Sequence, residues 1–189
     1  RNAIADPALS RPDLQLHFVA GIVDDHTRKM HLGYGYSGDV CVLRPHSRGE
    51  VGLSGADALA APRINPSYLS DERDAELLLK GACLIRSIME APALAGYKTG
   101  EIYSRGVESD ADWMAQIRAR ADTIYHPVGT CRMGKDPLAV TDLELRVHGI
   151  DGLRVVDASI MPTLIGGNTN APSIMIGERA AEFIKADLG

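Results

Sequence analysis

Residues 153–181, with the sequence LRVVDASIMPTLIGGNTNAPSIMIGERAA, decide the fold of this chain. They begin with a short apolar run, LRVV, which predicts a buried strand. Asp157 and Ala158 follow at the carboxyl end of that run, and this end of a strand is where sheets flanked by helices usually contact ligands. The stretch therefore predicts a strand that delivers two candidate binding residues.

The second part of this stretch predicts a loop that leads into a helix. Residues 166–170, GGNTN, are turn formers, and Pro172 suits the first turn of a helix that continues to the C-terminal end. A helix start carries partial positive charge and unpaired N–H groups, so it can bind an anion or a developing negative charge. An ordinary helix capped by Thr169 or Asn170 fits the same residues. Three large apolar side chains are predicted to lie in the core: Met161, Met175 and Phe183.

A second informative segment is TIYHPVGTCRMG, residues 123–134, which is rich in turn formers. Pro127 biases His126 toward an extended conformation and takes it out of a helix. Gly129 and Gly134 allow the backbone to approach a ligand closely. A histidine held in this way can act as a general acid or base near neutral pH. A hydrogen-bonded loop histidine without a catalytic role fits the same spacing.

Several short apolar runs predict strands. They are residues 14–19, 41–43, 51–53, 143–147 and 153–156. The first run alternates with a period of two, which predicts a half-buried strand with Leu14, Leu16 and Phe18 on one face. The second and third runs flank the turn-forming sequence PHSRGE and are predicted to pair as a hairpin. The last two are joined by HGIDG.

Two further helices are predicted between these runs. Asp71, or the serine before it, caps a helix that reaches about Glu90, with acidic residues at its positive end and Pro92 after it. Ser109 with Asp112 indicates the start of a short amphipathic helix of one or two turns. Because strands and helices are mixed without a strict alternation, the predicted fold class is α+β.

The composition is that of an ordinary globular protein, with 189 residues, 45% of them hydrophobic and 24% charged, and a net charge of −5. No apolar run approaches the roughly 18 residues of a membrane-spanning helix, and no basic block indicates nucleic-acid binding. Three widely spaced cysteines favour a reducing, cytoplasmic compartment over a disulfide framework, with peripheral membrane association left open. The histidines show no metal-ligand spacing, so no metal is predicted.

Residues 33–38, GYGYSG, fit the GxGxxG pattern but not its context. A nucleotide-binding loop of this kind follows a strand and precedes a helix. Here a polar stretch, residues 24–39, surrounds the pattern, and the strand-like sequence DVCVL follows it. The sequence therefore predicts a surface loop at this point.

Three separate motifs resemble one enzyme family in their order and spacing. They are YHPVGTCRMG (residues 125–134), DLELRVHGIDGLRVVDASIMP (142–162) and GNTNAPSIMIGERAA (167–181). The runs PDLQLHF (12–18) and LRPHSRGEVGL (43–53) are similar to the family's substrate-domain strands. Together these stretches closely resemble the C-terminal region of the glucose–methanol–choline (GMC) flavoprotein oxidoreductases, and within them the choline dehydrogenase and alcohol dehydrogenase type.

The resemblance implies roles for particular residues. His126 matches the catalytic base beside the flavin, and Asn168 matches a second catalytic position that is His or Asn in the family. Five residues would contact the cofactor FAD: Tyr125, Asp157, Ala158, Thr169 and Asn170. An imidazole can remove the hydroxyl proton of an alcohol while a hydride leaves for flavin N5, and an amide can orient that hydroxyl. The start of the last helix would stabilise negative charge on the reduced flavin.

The resemblance also implies a domain organisation. Residues 1–124 would form an antiparallel-sheet substrate domain with flanking helices, and residues 125–189 would return to complete a Rossmann-like FAD-binding domain. The family's strand–GxGxxG–helix for the ADP part of FAD has no counterpart here. The chain begins at Arg1 without a signal peptide, and residues 1–13 are typical of a connecting segment. We therefore expect the C-terminal portion of a longer enzyme, which without the N-terminal FAD-binding portion does not hold FAD tightly.

The activity implied is FAD-dependent oxidation of a small-molecule alcohol to the aldehyde, with oxygen, a quinone or a carrier protein as electron acceptor. Two Phe, six Tyr and one Trp are few for an aromatic cage around a quaternary ammonium. A generic primary alcohol is therefore favoured over choline. A hydroxynitrile lyase-like FAD protein and an inactive binding or complementation fragment remain as alternatives.

Overall fold

The computed structural model describes residue 4, residues 9–25 and residues 28–189. Parts of the predicted connecting segment (residues 1–3 and 5–8) and of the predicted loop (residues 26 and 27) lie outside the described residues. The strands are β1 (Leu14–Val19), β2 (Ser37–Val42), β3 (Glu50–Gly52) and β4 (Arg63–Asn65), and the α-helices are α1 (Glu72–Met89), α2 (Asp110–Arg120) and α3 (Asn170–Leu188). Two 3₁₀ helices span Pro92–Tyr97 and Ala158–Ile160. The α+β prediction is confirmed.

The chain divides into two compact units. The first comprises Arg1–Ser47 and Tyr68–Asp122, and the second comprises Arg48–Ser67 and Thr123–Gly189. The assignment of residues 1–124 to a substrate domain and of residues 125–189 to a cofactor domain stays a prediction. None of the helices in the described ranges is long and apolar enough to cross a membrane.

In the first unit, α1 lies against the antiparallel pair of β1 and β2. Leu14 is opposite Val42 in this pair. Gly81 of α1 allows the close approach, because a Cβ at that position would lie 2.7 Å from Cγ2 of Val40. Cδ1 of Leu14 would lie 3.1 Å from the same Cβ, so Leu14 is on the face that α1 covers. Phe18, farther along β1, is 60% exposed, so the predicted burial of that face does not extend along the whole strand.

Both helices of the first unit begin with the predicted capping residues. Asp71 caps α1 by accepting a hydrogen bond from the backbone N–H of Arg73. Ser109 and Asp112 form a reciprocal capping box at the start of α2. The 11 residues of α2 make it longer than the predicted one or two turns. The longer helix ends with basic side chains, which the negative end of a helix favours.

Three strand predictions are wrong. The predicted hairpin of residues 41–43 with 51–53 does not form, because β2 pairs with β1, and β3 pairs with β4. The predicted strands 143–147 and 153–156 are replaced by isolated bridges, such as that between Arg146 and Arg154. Extended segments become strands only where a neighbouring segment supplies a continuous ladder of hydrogen bonds. Single bridges do not supply one.

The core of the second unit lies between α3 and the segment before it. Its buried members are Leu145, Ile160, Met161, Ile176 and Ala180, and Phe183 packs against them. Met161 and Phe183 are placed as predicted. The prediction for Met175 is wrong, because its side chain is 58% exposed. Successive residues of a helix point about 100° apart, so Met175 turns away from the face that buries Ile176.

Candidate active site

The loop that carries His126 is fixed by local hydrogen bonds and unusual backbone angles. Tyr125 has a φ of 67°, and its N–H donates to the hydroxyl of Thr123 over 2.9 Å. Gly129 has a φ of 92°, a conformation that favours glycine. A Cβ at Gly129 would lie 3.4 Å from the carbonyl oxygen of Met161. This glycine therefore brings the loop close to the chain's own backbone, whereas the sequence predicted an approach to a ligand.

The segment after His126 is bound to the 3₁₀ helix Ala158–Ile160. The N–H of Cys131 donates to the carbonyl of Ser159 over 3.1 Å, and that of Met133 donates to the carbonyl of Ile160 over 2.8 Å. Asp157 caps this 3₁₀ helix, since its Oδ1 accepts the N–H of Ser159 at 2.7 Å. These bonds hold the histidine loop against the segment that the sequence singled out.

The third part of the site is the start of α3. Thr169 is the N-cap residue, and its carbonyl accepts both the N–H of Ser173 at 3.0 Å and the Ser173 hydroxyl at 2.7 Å. The Thr169 side chain makes no capping hydrogen bond. An N-cap side chain normally accepts from the N–H of the second or third helical residue. The third residue of α3 is Pro172, which has no N–H.

The side chain of His126 contacts two neighbouring residues at this helix start. Its Nδ1 lies 2.8 Å from Oγ1 of Thr169, and its Nε2 lies 2.8 Å from Nδ2 of Asn168. Thr169 is 8% exposed, while Asn168 is exposed and His126 is half-buried. The two residues predicted to be catalytic are therefore in direct contact with each other, next to the buried residue Thr169.

The arrangement fixes which nitrogen of the imidazole can act as a base. An amide NH₂ group is a donor only, so Nε2 of His126 accepts its hydrogen bond through a lone pair. A neutral imidazole then carries its proton on Nδ1 and donates it to Thr169. The nitrogen that can take a proton from a bound molecule is therefore Nε2, which lies on the same side as the exposed Asn168.

The other predicted site residues lie on the segments that adjoin this cluster. Tyr125 is 64% exposed beside His126. Asn170 is exposed as the first residue of α3, and Asp157 is exposed while capping its 3₁₀ helix. Ala158 packs against the core of the second unit. Sequence reasoning missed the contact between Thr169 and His126. The available signal was Pro172, which lacks the N–H that an N-cap hydroxyl would bond at the third helical position.

Sequence reasoning also missed a buried carboxylate, Asp24, in the first unit. Its side chain is 1% exposed and lies 2.7 Å from both Nε2 of His31 and a guanidinium nitrogen of Arg120. The hydroxyl of Tyr103 also donates to it. This hydrogen bond, more than those from His31 and Arg120, holds the pKa of Asp24 well below its usual range. Asp24 thus joins the loop after β1 to the end of α2. Within the described residues, no group of three or more His, Cys, Asp or Glu side chains is placed to hold a metal ion.

Comparison with known proteins agrees with the motifs. The GMC oxidoreductase family model matches residues 45–177. An "Alcohol dehydrogenase [acceptor]" of Pseudomonas putida is 51% identical over 181 residues, which are 95% of this chain and 33% of that protein. A mitochondrial choline dehydrogenase of Mus musculus is 43% identical over 182 residues, or 95% of this chain and 30% of that protein. The chain thus spans about a third of the length of these relatives.

Solved structures of oxidases share the fold. Pyridoxine 4-oxidase from Mesorbium loti superposes with a TM-score of 0.85 at 35% identity, over 96% of this chain and 36% of that one. Formate oxidase from Aspergillus oryzae, in a study of its FAD modification, gives a TM-score of 0.84 at 28% identity, over 95% of this chain and 32% of that one. Both alignments take in almost all of the present chain.

Proposed function

This chain belongs to the GMC oxidoreductase family, and from that premise we propose that it supplies the catalytic residues for the FAD-dependent oxidation of a primary alcohol to the aldehyde. The observation that carries the proposal is the pair of contacts at His126, which leave Nε2 as the basic nitrogen beside an exposed amide. Oxidation of an alcohol needs such a base, because the hydroxyl proton must leave as the carbon loses a hydride.

His126 would remove the hydroxyl proton of the alcohol through Nε2. General-base catalysis by a positioned side chain contributes roughly 10²- to 10⁴-fold in rate. The bond of 2.8 Å from Nδ1 to Thr169 holds the imidazole, so the ring is already oriented when the substrate hydroxyl reaches Nε2. Proton transfer converts the ring to an imidazolium whose Nδ1–H still donates to Thr169, and that bond is strengthened by the charge.

Asn168 would orient the alcohol for this transfer. Its side chain is exposed and touches the same nitrogen that takes the proton. An amide offers both a donor and an acceptor, so it can hold a substrate hydroxyl within reach of Nε2. The hydroxyl would take the place of the amide on the imidazole when the substrate binds.

The residues at the start of α3 suit the flavin of FAD. When bound, FAD supplies the acceptor for the hydride that leaves the alcohol carbon. The N-cap side chain of this 19-residue helix makes no capping bond, so it does not occupy the first-turn N–H groups, which can face an electron-rich carbonyl. Asn170 and the backbone of Thr169 would hold the flavin ring here, with Tyr125, Asp157 and Ala158 along the adjoining segments. The positive end of α3 would stabilise negative charge that reduction places on the ring.

The proposal extends to substrate and compartment. We favour a plain primary alcohol over choline, because one Trp, two Phe and six Tyr are few residues from which to build a cation-binding cage.

We place the protein in the cytoplasm, since its three cysteines are free in the structure. Fractionation of the source cells with antibody detection checks this location, and recovery in a periplasmic or secreted fraction would contradict it.

A His126→Gln variant tests the proposed base. In the FAD-loaded enzyme that includes the N-terminal FAD-binding portion, with oxygen and an artificial electron acceptor tried in parallel, kcat for a primary alcohol should fall by about 10²- to 10⁴-fold. The matched control is His148→Gln, since His148 is an exposed histidine of the same unit whose Nε2 lies 3.3 Å from the carbonyl of Gly134. The control should keep kcat within about twofold of the parent. Equal losses in both variants would show that His126 has no special role.

A further inference from the structure

We propose that Thr169 is a positioning residue that accepts the Nδ1–H of His126 and so holds the ring with Nε2 toward Asn168. The inference rests on the proposed function of His126 as a base. The contact that carries it joins Oγ1 of Thr169 to Nδ1 of His126 at 2.8 Å, across 43 residues of sequence. Thr169 would otherwise be assigned to the flavin or to a helix cap, and the structure gives its hydroxyl a different partner.

Thr169 is held rigidly by its backbone. It is 8% exposed, and its carbonyl accepts two hydrogen bonds from Ser173. Its φ and ψ are −87° and −4°, whereas an N-cap residue whose side chain caps the helix has an extended backbone. The Thr169 hydroxyl therefore cannot serve the helix amides from this conformation. It is directed instead at the imidazole.

Pro172 removes one competing partner. A threonine at the N-cap bonds the N–H of the second or third helical residue, and the third is here proline, which has none. The sequence TNAP thus places a hydroxyl at the helix start and withholds one of the two amides that would capture it. The hydroxyl remains available to accept the Nδ1–H of His126.

The chemical consequence concerns the orientation of the imidazole. The Asn168 amide donates to Nε2, so the neutral ring carries its proton on Nδ1, and the Thr169 hydroxyl accepts the Nδ1–H. If the ring turned over, Nε2 would no longer lie where the substrate hydroxyl can give up its proton. A hydroxyl can also donate, so Thr169 sets where the ring points, and the Asn168 amide sets which nitrogen carries the proton.

Two substitutions separate the hydroxyl from the rest of the side chain. Thr169→Val keeps the β-branched shape and removes the hydroxyl, and Thr169→Ser keeps the hydroxyl and removes the methyl group. Loss of a hydrogen bond to a group that becomes charged in the reaction corresponds to a rate about 10- to 150-fold lower. We expect kcat for a primary alcohol to fall by that factor in Thr169→Val, with KM changed less than threefold, and to recover to within about fivefold in Thr169→Ser.

A spectroscopic measurement reports the tautomer without reference to turnover. Nitrogen NMR of the full chain labelled with ¹⁵N-histidine distinguishes protonated from unprotonated ring nitrogens, and the signal lost in His126→Gln assigns the residue. We expect a protonated Nδ1 and an unprotonated Nε2 in all three proteins, and an Nδ1–H that exchanges faster with water in Thr169→Val, where its acceptor is lost, than in the parent and in Thr169→Ser.

The outcomes separate the two proposals. An unchanged exchange rate of the Nδ1–H in Thr169→Val, or equal loss of kcat in the valine and serine variants, would overturn the role of Thr169. Faster exchange of the Nδ1–H in Thr169→Val with kcat unaltered would support the contact while contradicting His126 as the base. The expected NMR change together with the loss of kcat and its rescue by serine would support both.

Discussion

Removal of the Asp74 carboxylate should strongly destabilise the start of α1. Asp74 is 4% exposed. Its oxygens accept the N–H of His46 at 2.8 Å, and the N–H and hydroxyl of Ser47 at 2.8 and 2.6 Å. In Asp74→Ala these donors lose their acceptor, and each unsatisfied buried donor costs about 1–3 kcal/mol. His46 is exposed, so water can replace part of its bond. With about 0.5 kcal/mol from the helix dipole, the free energy of unfolding should fall by about 2–4 kcal/mol.

Urea unfolding followed by circular dichroism measures this change. Glu72→Ala is the matched control, because Glu72 is an exposed acidic residue in the same first turn and interacts with the helix dipole. Its loss should cost no more than about 0.5 kcal/mol. Asp74→Asn, which keeps one oxygen acceptor, should lie between the two. Similar losses for Asp74→Ala and Glu72→Ala would refute the assignment of the stability to the buried hydrogen bonds.

Three further substitutions test other parts of the fold. Because the folded pKa of Asp24 lies below the unfolded value, its stabilisation is complete above about pH 4 and is lost as the pH falls through the folded pKa. In Asp24→Asn, the free energy of unfolding measured by urea titration should therefore fall less steeply than in the parent as the pH is lowered from about 5 to 2. A pH dependence as steep as that of the parent would contradict this. Gly129→Ala should lower the midpoint of thermal unfolding, because an alanine at a φ of 92° carries about 1–2 kcal/mol of backbone strain. Gly177→Ala should instead raise the midpoint, because Gly177 lies inside α3 with nothing within 4 Å of the added methyl group, and alanine favours a helix by about 0.5–1 kcal/mol over glycine. Shifts of the same sign in the two variants would count against both assignments.

The helices could be predicted from sequence because their signals are local. Asp71 and its acidic neighbours determine where α1 begins, and the capping box of Ser109 with Asp112 does the same for α2. Each of these interactions joins residues within one helical turn. The position of α3 was also predicted, since the helical pattern after Pro172 continues to Leu188.

Strand pairing could not be predicted from sequence because it depends on distant partners. The run at residues 41–43 lies near residues 51–53 in sequence, yet β2 pairs with β1 in a register that places Cys41 opposite Gln15. Both runs are apolar and short, so neither carries information on which neighbour it will meet. Residues 153–156 have a strand-like composition but make a single bridge, through Arg154.

The candidate site was predicted in its members but not in its connections. His126 and Asn168 were identified by motif, and the structure brings them within 2.8 Å. The bond from His126 to Thr169 spans two loops, and nothing in the order of residues shows which side chain meets which nitrogen. Only the proline at the third position of α3 indicated that the threonine hydroxyl was available.

Anaerobic reduction of the flavin tests the central claim most directly. The FAD-loaded enzyme is mixed with a primary alcohol in the absence of oxygen and of any added acceptor, and its visible absorption is followed. The account predicts that the flavin band bleaches with formation of one aldehyde per flavin, and that His126→Gln slows bleaching by about 10²- to 10⁴-fold. A flavin that stays oxidised with every alcohol tried, while the enzyme cleaves a cyanohydrin, would contradict the proposed oxidation.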